Sequence, residues 1–438
     1  MNRRATVVTY GCQMNVNDSA KIKAVLMNMG YSLEEKVENA NLVIINTCTV
    51  RGGAAERVYG KLGQLKPLKE RNRDMIIGVA GCLAQEKKAE IMELNPHVDI
   101  VFGNQNIHRL GEFIKRIEAK EENHVLLTDD IDETPPRIDV SFSGVVAYVS
   151  IAYGCSNKCS YCIVPYVRGK LRSVPMEDVV KEVESYLQKG HREIVLVGQN
   201  VNSYAKDIKG ASFATLLRRV AAIEGKFRIR FISPHPAEFT DDVIAAIAEE
   251  PKISKSIHFP LQSGSTRILR AMYRNHTKER YLYWVDRLRE RIKDISITTD
   301  IIVGFPGETE DDFQDTLDVV EKAKFDNSYM YMYSKRNFTP AALMSSQIPH
   351  EVKMDRLKRL INVQNRVSKA ESEKYIGKLE EVLVEGPSPK NANVFTGRTD
   401  SNKFVLFDKG ENRAGDFIDV KIDEAKTWTL YGKKVLNE

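Results

Sequence analysis

The stretch Val145-Val146-Ala147-Tyr148-Val149-Ser150-Ile151-Ala152-Tyr153-Gly154-Cys155-Ser156-Asn157-Lys158-Cys159-Ser160-Tyr161-Cys162 decides how the rest of the chain is read. Its first half, Val145 to Ala152, is an apolar run rich in β-branched and aromatic residues, the composition of a buried strand. Its second half delivers three cysteines straight off the strand end, close enough in sequence to surround one small object. A closed zinc site takes a fourth Cys or His, and the nearest histidines are His124 and His191. Three thiolates on a four-iron cube leave one iron open to another ligand. Iron–sulfur is the favoured reading and zinc the alternative.

Outward from this stretch, strand candidates recur at Glu193 to Val197, Arg228 to Ile232, Ser256 to Pro260, Ile295 to Val303 and Asn327 to Tyr333. Helical stretches separate them: Pro175 to Gln188, one opened by Thr240-Asp241-Asp242, and Glu310 to Lys324. About six strand–helix units over 144–372 predict a full or partial (β/α) barrel, with a second doubly wound sheet as the alternative. Upstream, over 1–127, Thr6 to Tyr10, Leu42 to Ile45 and Met75 to Ala80 read as buried strands alternating with helical segments such as Ser19 to Met29. That alternation predicts a doubly wound α/β domain. The acidic run 128–143, with Pro135-Pro136, has the composition of a linker. From 375 to 438 short alternating segments (Glu381 to Glu385, Val394 to Thr399, Phe404 to Phe407, Phe417 to Ile422) predict a small antiparallel β-barrel. The fold class is therefore α/β multidomain.

The chain has 438 residues, 42% hydrophobic and 29% charged, the balance of a globular protein of two or three domains. A net charge of +5 is a weak global field, so binding of nucleic acid must come from local patches. No apolar run approaches the ~18 residues of a membrane span, and the stretch after Met1-Asn2-Arg3-Arg4 is too short for a signal-peptide core. The expectation is a cytoplasmic protein without a membrane, and a monomer.

Three further cysteines each end an apolar segment: Tyr10-Gly11-Cys12, Asn46-Thr47-Cys48 and Ala80-Gly81-Cys82. In a parallel sheet the strand ends share one edge, where loops bind ligands. Three thiolates would converge there and leave one coordination position open. The plain alternative is three buried structural cysteines.

The run Cys155-x3-Cys159-x-Tyr161-Cys162 resembles the signature of the radical SAM superfamily. The resemblance implies that the amine and carboxylate of S-adenosylmethionine chelate the open iron of a [4Fe-4S] cluster, whose electron generates a 5′-deoxyadenosyl radical. It also implies that Tyr161 lies beside the bound cofactor. Gly198-Gln199-Asn200 would hold the methionine amine, and the stretch ending in Gly304-Phe305-Pro306-Gly307-Glu308 would hold the adenine. With Cys12, Cys48 and Cys82 ahead of that triad and a β-domain behind it, nearly the whole chain looks like the methylthiotransferases. That family implies a second [4Fe-4S] cluster on the first triad, whose open iron carries the sulfur to be inserted. It also implies a C-terminal TRAM domain that binds RNA, and S-adenosylmethionine serving both as methyl donor and as radical source.

Within the family, Tyr10-Gly11-Cys12-Gln13-Met14-Asn15, Asn46 to Arg51, Gly198 to Tyr204 and Arg274-Asn275-His276-Thr277 look like the MiaB-type branch acting on N6-isopentenyladenosine 37 of tRNA. Gln13, Asn15 and Arg274 are then the expected substrate-binding residues, and Val50, Phe259 or Leu261 an apolar slot for the isopentenyl tail. The expected partners are a tRNA anticodon stem-loop, a one-electron reductant such as flavodoxin or ferredoxin, and a sulfur donor. One departure stands out: Ser334-Lys335-Arg336-Asn337-Phe338-Thr339-Pro340 stands where the family often reads Ser-x-Arg-x-Gly-Thr, with Phe338 at the place of the glycine. The stretch Gly264 to Lys293 interleaves nine Lys/Arg with Tyr273, Tyr281, Tyr283 and Trp284, a pattern suited to phosphates and stacked bases or to a solvated helix face. Rival functions are methylthiolation of threonylcarbamoyl-adenosine or of a ribosomal-protein aspartate, a two-cluster electron carrier, or a plain RNA-binding protein.

Overall fold

The structure, a computed structural model, describes residues 3–49, 53–122, 124–128 and 134–435. Val50, Arg51 and the linker positions 129–133 lie outside the described residues. The first domain is a six-stranded parallel sheet: β1 (Arg4–Tyr10), β2 (Ser32–Leu33), β3 (Leu42–Thr47), β4 (Ile76–Gly81), β5 (Ile100–Phe102) and β6 (Val125–Leu127). The order is β2-β1-β3-β4-β5-β6. Successive residues of β3 point to opposite faces. Leu42 and Ile44 pack with Ile22, Leu26 and Phe113 on one side. Val43 and Ile45 pack with Val58, Leu62 and Leu83 on the other. Both faces are thus buried under helices, which is why the strands read as unbroken apolar runs. The chain leaves β1 for β2 on one side and then returns to β3 on the other, so the order reverses between β1 and β3. Ligands of such sheets bind outside the strand ends at this reversal.

The central domain carries β7 (Val146–Ser150), the hairpin β8 (Ala152–Tyr153) with β9 (Arg172–Ser173), then β10 (Glu193–Val197), β11 (Arg228–Phe231), β12 (Ser256–His258), β13 (Ser296–Val303) and β14 (Asn327–Met332). Two three-stranded ladders, β7-β10-β11 and β12-β13-β14, are parallel throughout. A parallel bridge from Ile229 to Ile253 joins them. The strands therefore run in chain order with no reversal, which selects the barrel over the doubly wound alternative. No ladder among the described residues joins β14 back to β7, so the barrel is partial.

The long helix His350–Glu373 leads into β15 (Leu379–Ser388), β16 (Asn391–Thr399), β17 (Phe404–Asp408), β18 (Phe417–Ala425) and β19 (Thr429–Lys434), a closed barrel in the order β15-β16-β17-β19-β18. The expected antiparallel pattern is broken once: β19 pairs parallel to β17 to close the ring. This barrel docks on the central domain through buried polar contacts. Arg228 donates to the carbonyls of Arg398 and Thr399, both at 2.9 Å. Lys403 pairs with Asp326 at 2.7 Å, both side chains buried.

Candidate functional site

The loop carrying Cys155, Cys159 and Cys162 is closed at its base by the β8–β9 hairpin. Cys155 N–H donates to Gly169 O at 3.0 Å. Gly154 has φ +66°, and a Cβ there would stand 2.0 Å from the carbonyl oxygen of Lys170, so only glycine lets the two arms approach. Mid-loop, the wholly buried Ser160 is held from three directions. Its N–H and hydroxyl donate to Met272 O (3.0 Å) and Ala271 O (2.7 Å), and its carbonyl accepts from Ala341 N–H (2.8 Å). Tyr161 packs edge-on to Phe305, 6.5 Å between centroids. The loop is thereby joined to the turn at the end of β13, where the adenine was expected.

The expected cofactor residues line strand ends beside this loop, and several of their polar groups are already committed. Asn200 donates to Ser203 Oγ (2.8 Å) and Glu238 Oε2 (2.9 Å) and accepts from His235 N–H (3.2 Å). Gly198 is buried and Gln199 half-buried at the same strand end. Glu308 turns back into the protein: its carboxylate accepts from Gly304 N–H (2.6 Å) and from Arg356 (2.8 Å). Burial pushes its carboxyl up to about 7, against the pull of those two donors. Gly304 and Glu308 thus shape the turn, leaving its backbone for a ligand.

Arg274, expected at the RNA, is only 6% exposed and sits inside the radical site. It hydrogen-bonds Cys159 and Tyr161 and donates to Pro260 O at 2.8 Å. The cause is Tyr273, whose φ of +57° ends the helix Thr266–Ala271 and turns the next residue inward. His276 follows it, buried, with neither ring nitrogen bonded. Its ring meets His235 edge-on at 5.9 Å. Burial pulls both imidazoles down, His276 to about 3 and His235 to about 2, with Arg274 adding repulsion. Both are therefore neutral at pH 7.

The basic stretch around them is largely spent on the fold. Arg267 pairs with Asp312, Lys278 with Asp315 and Arg287 with Asp241. Tyr281 and Trp284 lie in the central core, as do Phe259 and Leu261. Tyr273 and Tyr283 remain exposed.

Cys12, Cys48 and Cys82 follow β1, β3 and β4 directly, flanking the reversal point of the first sheet. Cys12 caps the helix Gln13–Asn28, which begins earlier than the sequence suggested. Asn15, the third residue of that helix, therefore points back and is wholly buried. Its side-chain oxygen accepts from Cys12 N–H at 3.3 Å and its amide donates to Asn46 at 3.3 Å. Asn46 in turn donates to Asn15 O and Ser19 Oγ. The amide expected to read a base instead ties the ends of β1 and β3 together; Gln13 stays half-buried at the helix start. Met14 packs on Val195 and Val197 of β10, seating the first domain on the second.

One residue joins the two sites. Arg168 ends the helix Val164–Arg168, which begins two residues after Cys162. It reaches across the domain boundary, donating from Nε to Cys82 Sγ (3.2 Å) and from Nη2 to Asp18 Oδ2 (2.7 Å). Sequence reasoning passed over it, although an arginine ending the apolar run Ile163 to Val167, so close to a cysteine triad, is a usable signal. Asn104 adds a second donor to Cys82 at 3.6 Å.

The donor sets fit iron–sulfur clusters. Burial raises the Cys155 thiol to about 11, the Cys162 thiol to about 12, and the Cys82 thiol as well. Buried thiolates need a positive group to hold them. A hydrogen bond with Cys48 pulls Cys12 down to about 6, and the Arg168 charge also lowers it. Soft, three-thiolate sets without a fourth ligand suit clusters better than a closed zinc site.

Comparison with known proteins follows the same division. The Radical SAM superfamily matches residues 149–320, the uncharacterized protein family UPF0004 residues 4–103, and the TRAM domain residues 373–435. A tRNA-2-methylthio-N(6)-dimethylallyladenosine synthase of Fusobacterium nucleatum is 57% identical over 99% of this chain and 100% of its own length. One from Acetivibrio thermocellus is 47% identical over 98% of this chain and 90% of its own. In fold alone, the radical S-adenosylmethionine methyltransferase TsrM of Kitasatospora setae superposes with a TM-score of 0.57 at 15% identity, over 78% of this chain and 77% of its own. The cobalamin-dependent enzyme OxsB gives 0.51 at 13% identity, over 82% and 56%. With three successive domain matches and relatives this similar along their full length, the chain belongs to the tRNA-2-methylthio-N(6)-dimethylallyladenosine synthase family of radical SAM methylthiotransferases.

Proposed function

We infer that the protein converts N6-isopentenyladenosine 37 of tRNA to its 2-methylthio derivative, with one [4Fe-4S] cluster on Cys155, Cys159 and Cys162 and another on Cys12, Cys48 and Cys82. We take its working units as 1–127, 144–372 and 375–438, joined by 128–143. The observation that carries the reading is the bridge at Arg168, which fixes a cysteine of the first domain against the helix that follows the radical triad. A reaction that activates carbon at one centre and delivers sulfur from the other needs the two held at a set spacing. A two-cluster electron carrier has no use for a buried polar residue such as His276, with both ring nitrogens unbonded, beside the radical triad.

Adenine C2 carries a non-acidic hydrogen and no leaving group, so acid–base catalysis does not replace that hydrogen readily. When bound, the reduced radical cluster and S-adenosylmethionine supply the one-electron chemistry that opens this position. The chain's own residues place and enclose it. Ser160 fixes the loop, Tyr161 and Phe305 wall the adenosyl side, and Arg274 places a positive charge at Cys159. Neutral His276, with both ring nitrogens unbonded, offers one donor and one acceptor inside the site. Gln13, at the entrance to the first triad, is the remaining candidate for the base edge. The chain needs a one-electron reductant such as flavodoxin or ferredoxin and a sulfur donor, acts as a monomer and works in the cytoplasm. No helix among the described residues is long and apolar enough to cross a membrane.

The test offers the reconstituted enzyme anticodon stem-loops bearing unmodified, isopentenyl or threonylcarbamoyl adenosine, alongside the ribosomal-protein peptide, with products read by mass spectrometry. Turnover of the isopentenyl RNA should dominate. Preference for the threonylcarbamoyl RNA or the peptide would overturn the substrate assignment.

A further inference from the structure

Two aromatic rings stand in solvent beside the joint between the triads. Tyr166 is 47% exposed and Phe338 66%. Their centroids lie 6.2 Å apart with planes at 35°, though they come from segments far apart in sequence. Each is anchored next to a cysteine site. Tyr166 lies four residues past Cys162, in the short helix whose last residue is Arg168. Phe338 follows Asn337, whose amide donates at 3.1 Å to Glu86, four residues past Cys82. Three residues after Phe338, Ala341 N–H donates to Ser160 O inside the radical loop. The pair therefore sits beside the segments that carry both cysteine triads.

Folding does not explain the pair. Exposed rings bury little apolar surface, and Phe338 is held at φ +65°, a left-handed conformation that is costly for a bulky residue. A turn locks it there, with Thr339 Oγ1 donating to Arg336 O at 2.7 Å. Strain kept for a ring that faces water points to a ligand with a flat face. The neighbouring Lys335 is exposed and positively charged, which suits a phosphate beside a stacked base.

We propose that Tyr166 and Phe338 form a stacking platform for an unpaired RNA base adjacent to the nucleotide being modified, with Lys335 on the flanking phosphate. The proposal rests on the tRNA reading above. Stacking on aromatic faces is tolerant of sequence, so the platform would grip the splayed loop while the target base enters the site. It also gives the Ser334 to Pro340 departure a role, because Phe338 supplies one of the two rings.

The experiment uses full-length reconstituted enzyme and anticodon stem-loops carrying 2-aminopurine at either neighbour of nucleotide 37. In the wild type, binding should quench the probe at one of the two positions. Phe338→Ala and Tyr166→Ala should lose that quench and raise the Kd and KM for the stem-loop about 5- to 150-fold, the range expected for one stacked base. S-adenosylmethionine cleavage without RNA should be unchanged, and Phe338→Tyr should restore wild-type behaviour. Unchanged quenching and KM in both alanine variants would overturn the platform. Normal RNA binding with slowed turnover only when a protein reductant replaces dithionite would overturn it too, and would assign the pair to docking of the electron donor. If the wild type binds no stem-loop, the tRNA reading falls and the platform with it.

Discussion

Replacing Arg168 by Met tests the joint between the two centres. Arg168 and Asp18 are 5% and 4% exposed at the side chain, and their contact is 2.7 Å. Met fills a similar volume but takes from the buried Asp18 carboxylate its direct ion-pair partner, leaving only the more distant charge of Lys21, and removes the Nε donor to Cys82. An exposed ion pair contributes about 0.2–1 kcal/mol, whereas removing one partner of a buried pair costs about 3–5 kcal/mol. The larger figure applies here because water cannot reach the stranded carboxylate. Urea unfolding of the full chain, followed by circular dichroism and iron content, should show Arg168→Met destabilised by that amount and quicker to lose iron. Adding Asp18→Leu removes the stranded charge and should recover most of the loss, while the missing donor to Cys82 remains. A loss below about 1 kcal/mol in the single variant would show the pair to be solvated and refute the reasoning.

Cys159→Ala should abolish reductive cleavage of S-adenosylmethionine, while Cys48→Ala should keep cleavage and stop sulfur insertion; equal loss in both, with intact folding, would contradict the division between triads. Gly304→Ala puts a methyl group 2.3 Å from Lys353 Cγ at φ +70°, so the turn at the end of β13 must distort. The expected result is a raised KM for S-adenosylmethionine, with a stability loss of more than about 1 kcal/mol, read by kinetics and thermal melting. His235 and His276 have folded-state values below the unfolded 6.5. The unfolded chain thus binds more protons below that pH, and stability should fall as pH drops from about 6.5 towards 3. In His276→Asn that pH dependence should flatten, and an unchanged slope of unfolding free energy against pH would show that His276 is not held neutral.

Period and composition made the large elements legible. β10 was read at its observed ends, and the six strands of the two central ladders were all found, most of them because buried strands leave apolar runs; the two-residue β9 was not. The edge pieces were not: β2 has two residues, and β5 and β6 three each. Such short segments carry no period. The parallel closure of β17 on β19 was also invisible, since strand direction is a tertiary property. Cys12, Cys48 and Cys82 drew notice by their position after apolar runs, and each lies just past a strand, whereas Cys155, Cys159 and Cys162 spread along the loop between β8 and the helix Val164–Arg168. Side-chain roles were harder. Asn15 and Arg274 carry the chemistry of RNA-binding residues but are turned inward, one by a helix starting at Gln13, the other by the left-handed Tyr273. Arg168 was missed because its partners, Asp18 and Cys82, lie 150 and 86 positions away.

The polar docking of the C-terminal barrel bears on how a long substrate is measured. Arg228 spends its guanidinium on backbone carbonyls of that barrel, and Lys403 closes a buried pair with Asp326. The barrel is therefore a fixed arm rather than a tethered one. A flexible tether would let the RNA grip wander and present the loop at an effective concentration in the millimolar range. A fixed arm works as a caliper: RNA held at one jaw reaches the other at a single span. The distance between the two jaws is therefore set by Arg228 and by the Lys403–Asp326 pair rather than by a linker.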